Sequence, residues 1–186
     1  LDLGRAGVGT LDMNSNANLA IESASGGARI FIAGSPTTPA NADGTANIDN
    51  STVSVTAGGA TSAFISVGRD LGTGALNLTG GTVVTVDNTG SGFSFVDIGR
   101  SAAGGDATVS GGSSLVVKAT GTGTSSITIG RNVNAVGTMT VTGAGSSVTV
   151  EDVLSVGRDG GTGTLNVENS ATFTNSASSG LTRIGR

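Results

Sequence analysis

The sequence of 186 residues contains no cysteine, histidine, tryptophan or tyrosine. Without cysteine and histidine, neither a disulfide framework nor a zinc site can form. Aromatic residues make up 3% of the chain, and its formal net charge is −4. A surface that binds nucleic acid is normally basic and often aromatic, so the composition predicts no nucleic-acid partner.

Proline, charge and long apolar runs are scarce as well. The two prolines exclude a proline-rich linker, and no apolar run reaches the length that insertion into a membrane requires. Hydrophobic residues make up 36% of the chain, whereas disordered segments combine few apolar residues with a high net charge. Glycine is abundant, with 33 copies, and the remaining composition favours short strands and tight turns.

A Gly-Arg pair returns along the chain with a period close to thirty residues. Six such pairs occur, and Gly34-Ser35 fills the one long gap, so that successive glycines lie 27 to 34 residues apart. A fixed period of this length is typical of proteins built from stacked repeats. The residues of this predicted structural motif are Gly4, Arg5, Gly68, Arg69, Gly99, Arg100, Gly130, Arg131, Gly157, Arg158, Gly185 and Arg186.

Each repeat contains three short segments that read apolar, middle residue, apolar. Because successive side chains of a strand point to opposite faces, we expect the apolar residues inside and the mostly polar middle residues in solvent. The first segment comprises residues 1–3, 30–32, 65–67, 96–98, 127–129 and 154–156. The second comprises residues 11–13, 46–48, 76–78, 107–109, 139–141 and 165–167. The third comprises residues 19–21, 53–55, 84–86, 115–117 and 148–150, and the region of Phe173 fits it poorly.

Strands of three to five residues cannot bury an apolar face alone, but coils stacked about 4.8 Å apart pair in parallel and enclose an aliphatic shaft. We therefore expect residues 1–186 to form one all-β domain, a right-handed parallel β-helix (β-solenoid) with three strands per coil and about six coils of 27–34 residues. Glycine and asparagine are expected at the corners because both adopt positive φ. An insertion at residues 35–43 and loops at 89–93, 119–126 and 176–180 are expected to project from corners, where binding most often occurs.

Two copies of the repeat carry a family resemblance. Val67-Gly68-Arg69 is followed by Gly-Ala-Leu-Asn-Leu at residues 74–78, and Val156-Gly157-Arg158 by Gly-Thr-Leu-Asn-Val at residues 163–167. This pattern resembles the repeats of bacterial autotransporter passengers and of PEP-CTERM-associated surface proteins, over essentially the whole chain. Coil two departs from it with Ser35 in place of arginine, and coil four with Asp106-Ala107 where Thr-Leu is usual. The resemblance implies an extracellular or bacterial cell-surface location and an adhesin-like or structural role.

Six of the eight arginines share one position of the repeat. Neighbours in register would repel by about 0.9 kcal/mol even at the dielectric constant of water. Asp70 and Asp159 directly follow two of these arginines and could accept guanidinium hydrogen bonds, as could loop carbonyl groups. The column then either ties each loop to the next coil or forms a cationic stripe for acidic glycans or anionic lipid. The acidic overall composition favours the first interpretation.

Features of catalysis and of metal binding are weak. Enzymes that cleave polysaccharides need clustered carboxylates or a base beside a groove, but Glu151-Asp152 is the only adjacent acidic pair and Lys118 the only lysine. Residues 159–163 resemble a calcium-binding β-helix loop, yet Leu165 stands where that repeat needs aspartate. We predict no catalytic residue, cofactor or metal site.

The expected function is mechanical, that of a stiff extracellular rod. Neither end shows a polar capping element, so the chain is expected to be a segment of a longer protein or a subunit that self-associates end to end into a filament. The alternative is an adhesin or glycan-binding module that uses the corner loops, with extracellular glycans as partners. Ice binding is a minor alternative because the middle residues form no regular threonine face, and the asparagines of the second segment are expected to stack amide on amide.

Overall fold

The computed structural model describes residues 1–34, 42–176 and 180–185, and these residues form nineteen strands and no helix. Every pairing between the strands is parallel, and each strand pairs with the strands three positions before and after it along the chain. The expected all-β solenoid with three strands per coil and about six coils is thereby confirmed. Among the described residues, no helix is long and apolar enough to cross a membrane.

The strands of the first segment form a sheet of seven strands. In stacking order they are β1 (Asp2–Leu3), β4 (Ala28–Ile32), β7 (Ala63–Arg69), β10 (Ser94–Arg100), β13 (Ser125–Arg131), β16 (Val153–Arg158) and β19 (Leu181–Ile184). We call this the first sheet. It contains the Gly-Arg pairs of the central coils.

The second and third sheets each contain six strands. The second sheet comprises β2 (Val8–Met13), β5 (Asp43–Asp49), β8 (Thr73–Thr79), β11 (Gly104–Val109), β14 (Val136–Thr142) and β17 (Thr162–Glu168). The third comprises β3 (Asn18–Ser23), β6 (Thr52–Ala57), β9 (Val83–Asn88), β12 (Ser114–Lys118), β15 (Ser147–Val150) and β18 (Thr172–Asn175). The chain thus visits the three sheets in turn, and one set of three neighbouring strands is one rung of the stack.

Equivalent aliphatic residues lie directly over one another, as the sequence pattern predicts. Val67 pairs with Ile98, Ile98 with Ile129, and Ile129 with Val156. The interior cluster of buried residues contains only aliphatic side chains, alanine and methionine. Since burial of one large aliphatic side chain contributes about 1.5–3 kcal/mol, this shaft is the main source of stability for a chain so rich in glycine.

The corner between the second and third sheets has the predicted backbone. Gly80, Gly81, Gly111 and Gly112 have positive φ there. In the first and last coils Ser15, Asn16, Asn169 and Ser170 adopt positive φ at the same corner. Asparagine tolerates this conformation best after glycine, which explains why both types alternate at one place in the repeat.

Three details differ from the sequence-based expectations. Most strands have six or seven residues rather than three to five, because pairing extends through the flanking small residues. The last coil does form the third strand: Phe173 pairs with Val148 and packs against the interior cluster, so the expected poor fit is wrong. Residues 125 and 126, expected in a loop, belong to β13.

The expectation that all middle residues face solvent is wrong for the first sheet. Phe31, Ser66, Asp97, Thr128 and Ser155 occupy the outward position, yet none is more than 5% exposed. The outward face of the first sheet is therefore a second buried layer, and its cover is built from the side chains described next. The insertion at residues 35–43 lies outside the described residues except for Ala42 and Asp43, and the loop at 176–180 except for Ser176 and Gly180.

Candidate functional site: the outward face of the first sheet

The Gly-Arg pairs form the corner between the first and second sheets. Gly68 has a φ of 68°, and a Cβ atom there would overlap the carbonyl oxygen of Gly104. Gly74, near the start of the next strand β8, opposes it, since a Cβ at that position would overlap the amide nitrogen of Gly68. The motif therefore needs glycine both before the arginine and at the start of the next strand, because two backbone segments touch at this corner.

The arginines lie in register, as predicted. Arg69 pairs with Arg100, Arg100 with Arg131, and Arg131 with Arg158. Their carbonyl oxygens form a backbone ladder, in which Ser101 N–H donates to Arg131 O at 3.0 Å. The same bond runs from Asp70 N–H to Arg100 O at 3.1 Å and from Asn132 N–H to Arg158 O at 3.0 Å.

The terminal members of the motif are less complete. Gly4 and Gly185 have the same positive φ, 65° and 66°, as the glycines of the central coils. Arg5 is exposed in the first coil. Ser35 and Arg186 lie outside the described residues. Four arginines, from coils three to six, therefore define the column.

Two arginines pair with the aspartate that follows them. Arg69 Nε lies 2.9 Å from Asp70 Oδ2, and Arg158 Nε lies 3.0 Å from Asp159 Oδ2. The sequence predicts both of these acceptors. Each of these two pairs holds an arginine against its own loop rather than against the next coil.

Asp97 bridges the two central arginines. Its Oδ2 accepts hydrogen bonds from Arg100 Nη1 at 3.1 Å and from Arg131 Nη1 at 3.4 Å. The Asp97 side chain is 1% exposed, whereas the two arginine side chains are 22% and 27% exposed. Sequence reasoning missed this residue because it treated Asp97 as a solvated middle position; the signal was a carboxylate in the column beside the arginines.

Phenylalanines complete the cover of this face. Four of the five phenylalanines of the chain, Phe31, Phe64, Phe93 and Phe95, belong to the first sheet or directly precede one of its strands. Phe64 and Phe95 are stacked with ring centroids 4.6 Å apart, and Phe31 meets Phe64 edge to face at 5.2 Å. The guanidinium carbon of Arg69 lies 5.5 Å from the centre of the Phe31 ring, a cation–π contact.

A fourth phenylalanine, directly before β10, has an exposed ring. Phe93 is 59% exposed, while Phe31 and Phe64 are buried. A groove lined by Gly27, Arg29, Thr61, Ser62 and Phe64 lies on the side of the earlier coils. The outward face of the first sheet thus has a buried part around Phe31 and Phe64. It also has an exposed part that contains Phe93 and Arg29.

The second sheet has a different, hydrophilic outer face. The predicted amide ladder is present in the first three coils: Asn77 Nδ2 donates to Asn47 Oδ1 at 2.9 Å, and Asn47 Nδ2 donates to Asp12 Oδ1 at 2.8 Å. Thr79 Oγ1 donates to Asp49 Oδ1 at 2.7 Å beside it. These contacts cross from rung to rung and stiffen the stack.

Threonines form a second outward column on this sheet, two residues earlier along the strand than the amide ladder. Thr10 pairs with Thr45 and Thr138 with Thr164, in the same outward column. Ala75 and Asp106 interrupt that column between the two pairs. The interruption by a small and a charged residue leaves no continuous threonine face over the described coils.

The chemistry of the arginine column follows from these contacts. Three carboxylates pair with four arginines, and all four guanidinium side chains are at least partly covered. Little positive charge is left for an acidic polymer. The column therefore acts chiefly within the fold, where it holds loops and neighbouring coils together. Among the four described arginines of the column, Arg131 alone reaches from its own coil to a carboxylate of the preceding coil.

The fold and this braced face define the protein as a β-solenoid of stacked repeats. Protein-family models, curated proteins and solved structures were compared with the chain, and none matches.

Proposed function

We propose that this β-solenoid is a structural rod of a bacterial surface or secreted protein and that its copies assemble end to end. The observation that carries the proposal is the dry aliphatic shaft, which continues in register through every coil. A shaft of this kind is a linear structure whose length grows by adding rungs, and nearest-neighbour contacts supply its stability.

Three features suit a load-bearing role. Parallel backbone ladders run along the stack on all three sheets. The Asp97–Arg131 pair and the amide ladder of Asn77, Asn47 and Asp12 link successive rungs outside the shaft. Strand backbone held in this way resists cleavage, because proteases act on segments that open locally.

The outermost coils of the described shaft are compatible with further stacking. At one end Leu11, Leu19 and Ile21 are only partly buried, and at the other end Leu165 and Phe173 are. Unpaired parallel strand edges surround these apolar residues and offer a template for another rung. A further repeat of the same pattern, in the same chain or in a second copy, matches both the apolar pattern and the backbone pattern.

Electron microscopy and sedimentation of the purified chain test the proposal. We expect fibres as wide as one solenoid, and we expect their mass to grow with protein concentration. The reason is that a joint between two different ends does not close into a ring. Short rods of one chain at all concentrations would contradict end-to-end assembly.

A glycan-binding role is a second candidate, and the exposed ring of Phe93, two residues before Phe95 in the chain, favours it. Exposed aromatic rings supply large contact areas for ligands with apolar faces. Binding to a glycan array that is lost in Phe93→Ala but kept in Val133→Ala would support this role. Both residues are well exposed, so the second variant is a matched control. Equal binding by both variants would remove Phe93 from the candidate site.

A further inference from the structure

The residue that follows each arginine of the column differs between the coils. In coils three and six it is an aspartate, and Oδ2 of Asp70 and of Asp159 lies 2.9 Å and 3.0 Å from Nε of the preceding arginine. In coils four and five the same place is held by Ser101 and Asn132, which carry no carboxylate. The two central arginines are therefore not followed by the acidic partner that the repeat supplies on either side of them.

The four residues share one backbone conformation. The φ angles of Asp70, Ser101, Asn132 and Asp159 are 49°, 59°, 71° and 53°. The N–H groups of the first three each donate to the carbonyl oxygen of the arginine in the next coil. The coils thus differ here in their side chains alone, and a carboxylate at position 101 is expected to reach Nε of its arginine as Asp70 does.

The Nε–H groups of the two central arginines are buried donors. Among the described residues, neither Arg100 Nε nor Arg131 Nε has a hydrogen-bond partner. Asp97 does not serve them, because its Oδ2 accepts from the Nη1 atom of each arginine. Nη1 lies on the other side of the guanidinium from the edge that carries Nε–H and Nη2–H. A buried donor without an acceptor is costly, so this edge points to a ligand.

The charges beside these donors do not balance. Arg100 and Arg131 carry two positive charges, and Asp97 supplies one negative charge. The charges of Arg69 and Arg158 are matched by the aspartates that follow them. Among the described ion pairs of the column, one positive charge thus remains, and it lies at the two central arginines. A single anion satisfies both this charge and the buried donors.

We propose that Arg100 and Arg131 together bind one small oxyanion, which supplies the acceptor that Asp70 and Asp159 supply in the neighbouring coils. The ligand is a free carboxylate, phosphate or sulfate ion. Two oxygen atoms of such an ion fit the paired donors of a guanidinium edge. The site joins coil four to coil five and is independent of end-to-end assembly, since one chain contains all of it.

The neighbouring groups suit an anion. Ser101 Oγ accepts a hydrogen bond from Asn132 Nδ2 at 3.1 Å, which leaves the hydroxyl proton of Ser101 for another acceptor. The side chains of Arg100 and Arg131 are partly exposed, so a small ion reaches them from solvent. Their partial cover makes charge-assisted hydrogen bonds stronger than in bulk water. One remaining charge accommodates one ion rather than a polymer.

Water is the competing occupant of this region. Among the described residues, Asp97 Oδ1 is also buried without a hydrogen-bond partner, and an acceptor on a carboxylate suits water rather than an anion. The Nε–H groups of Arg100 and Arg131 are donors on cations, and they suit an anion. The two occupants differ in one measurable respect, because only a bound ion makes the site depend on oxyanion concentration.

A phosphate titration of the full chain tests the site. Proton–nitrogen NMR follows the arginine Nε–H signals at constant ionic strength set with sodium chloride, and the variants Arg100→Lys and Arg131→Lys assign the two signals. Both signals are expected to shift together and to saturate, with half-saturation at about 1–10 mM phosphate. No saturable shift up to about 100 mM phosphate would overturn the proposal and leave these donors to water.

Ser101→Asp places a carboxylate where Asp70 has one, at a φ of 59° that aspartate tolerates. This variant is expected to lose the phosphate-dependent shift and to melt at a higher temperature than the unsubstituted chain in chloride alone. Ser101→Asn is the matched control without a charge, and it is expected to keep the shift. Shifts of equal size in both variants, each folded by circular dichroism, would contradict an anion in the place of a carboxylate.

Sodium acetate and a polyuronate distinguish a free ion from a glycan. Acetate is expected to produce the same saturable shift, because a carboxylate matches the guanidinium edge. The polyuronate is expected to bind no more tightly per carboxylate than acetate, since one positive charge remains at the site. An advantage of about tenfold or more for the polymer would overturn the assignment to a small ion.

Discussion

The carboxylate of Asp97 accepts a hydrogen bond from Arg131 across the boundary between two coils, with Oδ2 3.4 Å from Nη1. The same oxygen accepts a bond from Arg100 of its own coil at 3.1 Å. The two central arginines of the column that the repeat imposes thus share one buried acid, which offsets part of their mutual repulsion. This relationship explains how like charges remain stacked one rung apart.

Replacement of Asp97 by asparagine tests this brace. The variant leaves two partly covered guanidinium groups without their carboxylate, and we expect a loss of about 2–3 kcal/mol in the free energy of unfolding. Urea denaturation measures the change.

Asp159→Asn is the matched control, because Asp159 pairs with Arg158 but its side chain is 50% exposed. Exposed pairs contribute little, so the control is expected to lose at most about 0.5 kcal/mol. Equal effects of the two substitutions would show that Asp97 is no more than a surface partner.

The Gly-Arg corner gives a second prediction. Gly68→Ala places a Cβ against the carbonyl oxygen of Gly104 at a φ of 68°, so both overlap and backbone strain oppose folding. We expect a loss of about 3 kcal/mol or more, measured by thermal unfolding.

Gly81→Ala separates strain from overlap. Gly81 has a φ of 80°, but a Cβ there meets no atom within 4 Å. Only the conformational cost of about 1–2 kcal/mol is expected. If Gly68→Ala is no more harmful than this control, close approach of the two backbones is not the reason for the motif.

A third prediction concerns Leu71, an apolar residue with a φ of 72° that is 54% exposed. Gly160 occupies the corresponding corner of coil six with a φ of 83°. Leu71→Gly relieves the strain of the left-handed conformation, and part of that gain is offset by the greater entropy of the unfolded chain. We expect a net gain of about 0.5–1 kcal/mol, seen as a higher melting temperature.

Ala75→Gly serves as the control for Leu71→Gly. Ala75 lies within β8, where glycine brings no relief of strain and costs about 0.5–1 kcal/mol. A lower melting temperature for both variants would mean that Leu71 is not strained.

The shaft gives a fourth prediction. Ile98 is fully buried between Val67 and Ile129, and Ile98→Ala is expected to lose about 2–5 kcal/mol through lost burial and a residual cavity. Val133→Ala, at a site 64% exposed, is expected to change stability by less than about 0.5 kcal/mol. Denaturation of both variants in urea compares them, and similar losses would place Ile98 outside a packed interior.

Much of the fold could be predicted from the sequence because its pattern repeats. The apolar residues that flank each middle residue locate the strands, and the Gly-Arg pairs fix their register. The interior pairings of Val67, Ile98, Ile129 and Val156 follow from that alignment alone.

The cover of the first sheet could not be predicted in the same way. Strand alternation tells which face a side chain points to, but not what folds over that face. Asp97 and Phe31 point outward and are nevertheless buried, because long side chains from neighbouring rungs lie across them. Those contacts depend on the conformations of arginine and phenylalanine side chains, which no periodicity encodes.

Distances between spin labels test whether equivalent residues stack along one axis at every rung. Labels are attached to cysteines at Asp12 together with Thr108, Thr140 or Asn166, all in one outward column. The labelled chains are diluted with unlabelled chain. Stacked rungs predict separations that increase by about 4.8 Å for each rung, to about 24 Å between positions 12 and 166. Separations that do not increase in the order of the rungs would contradict the stacked shaft.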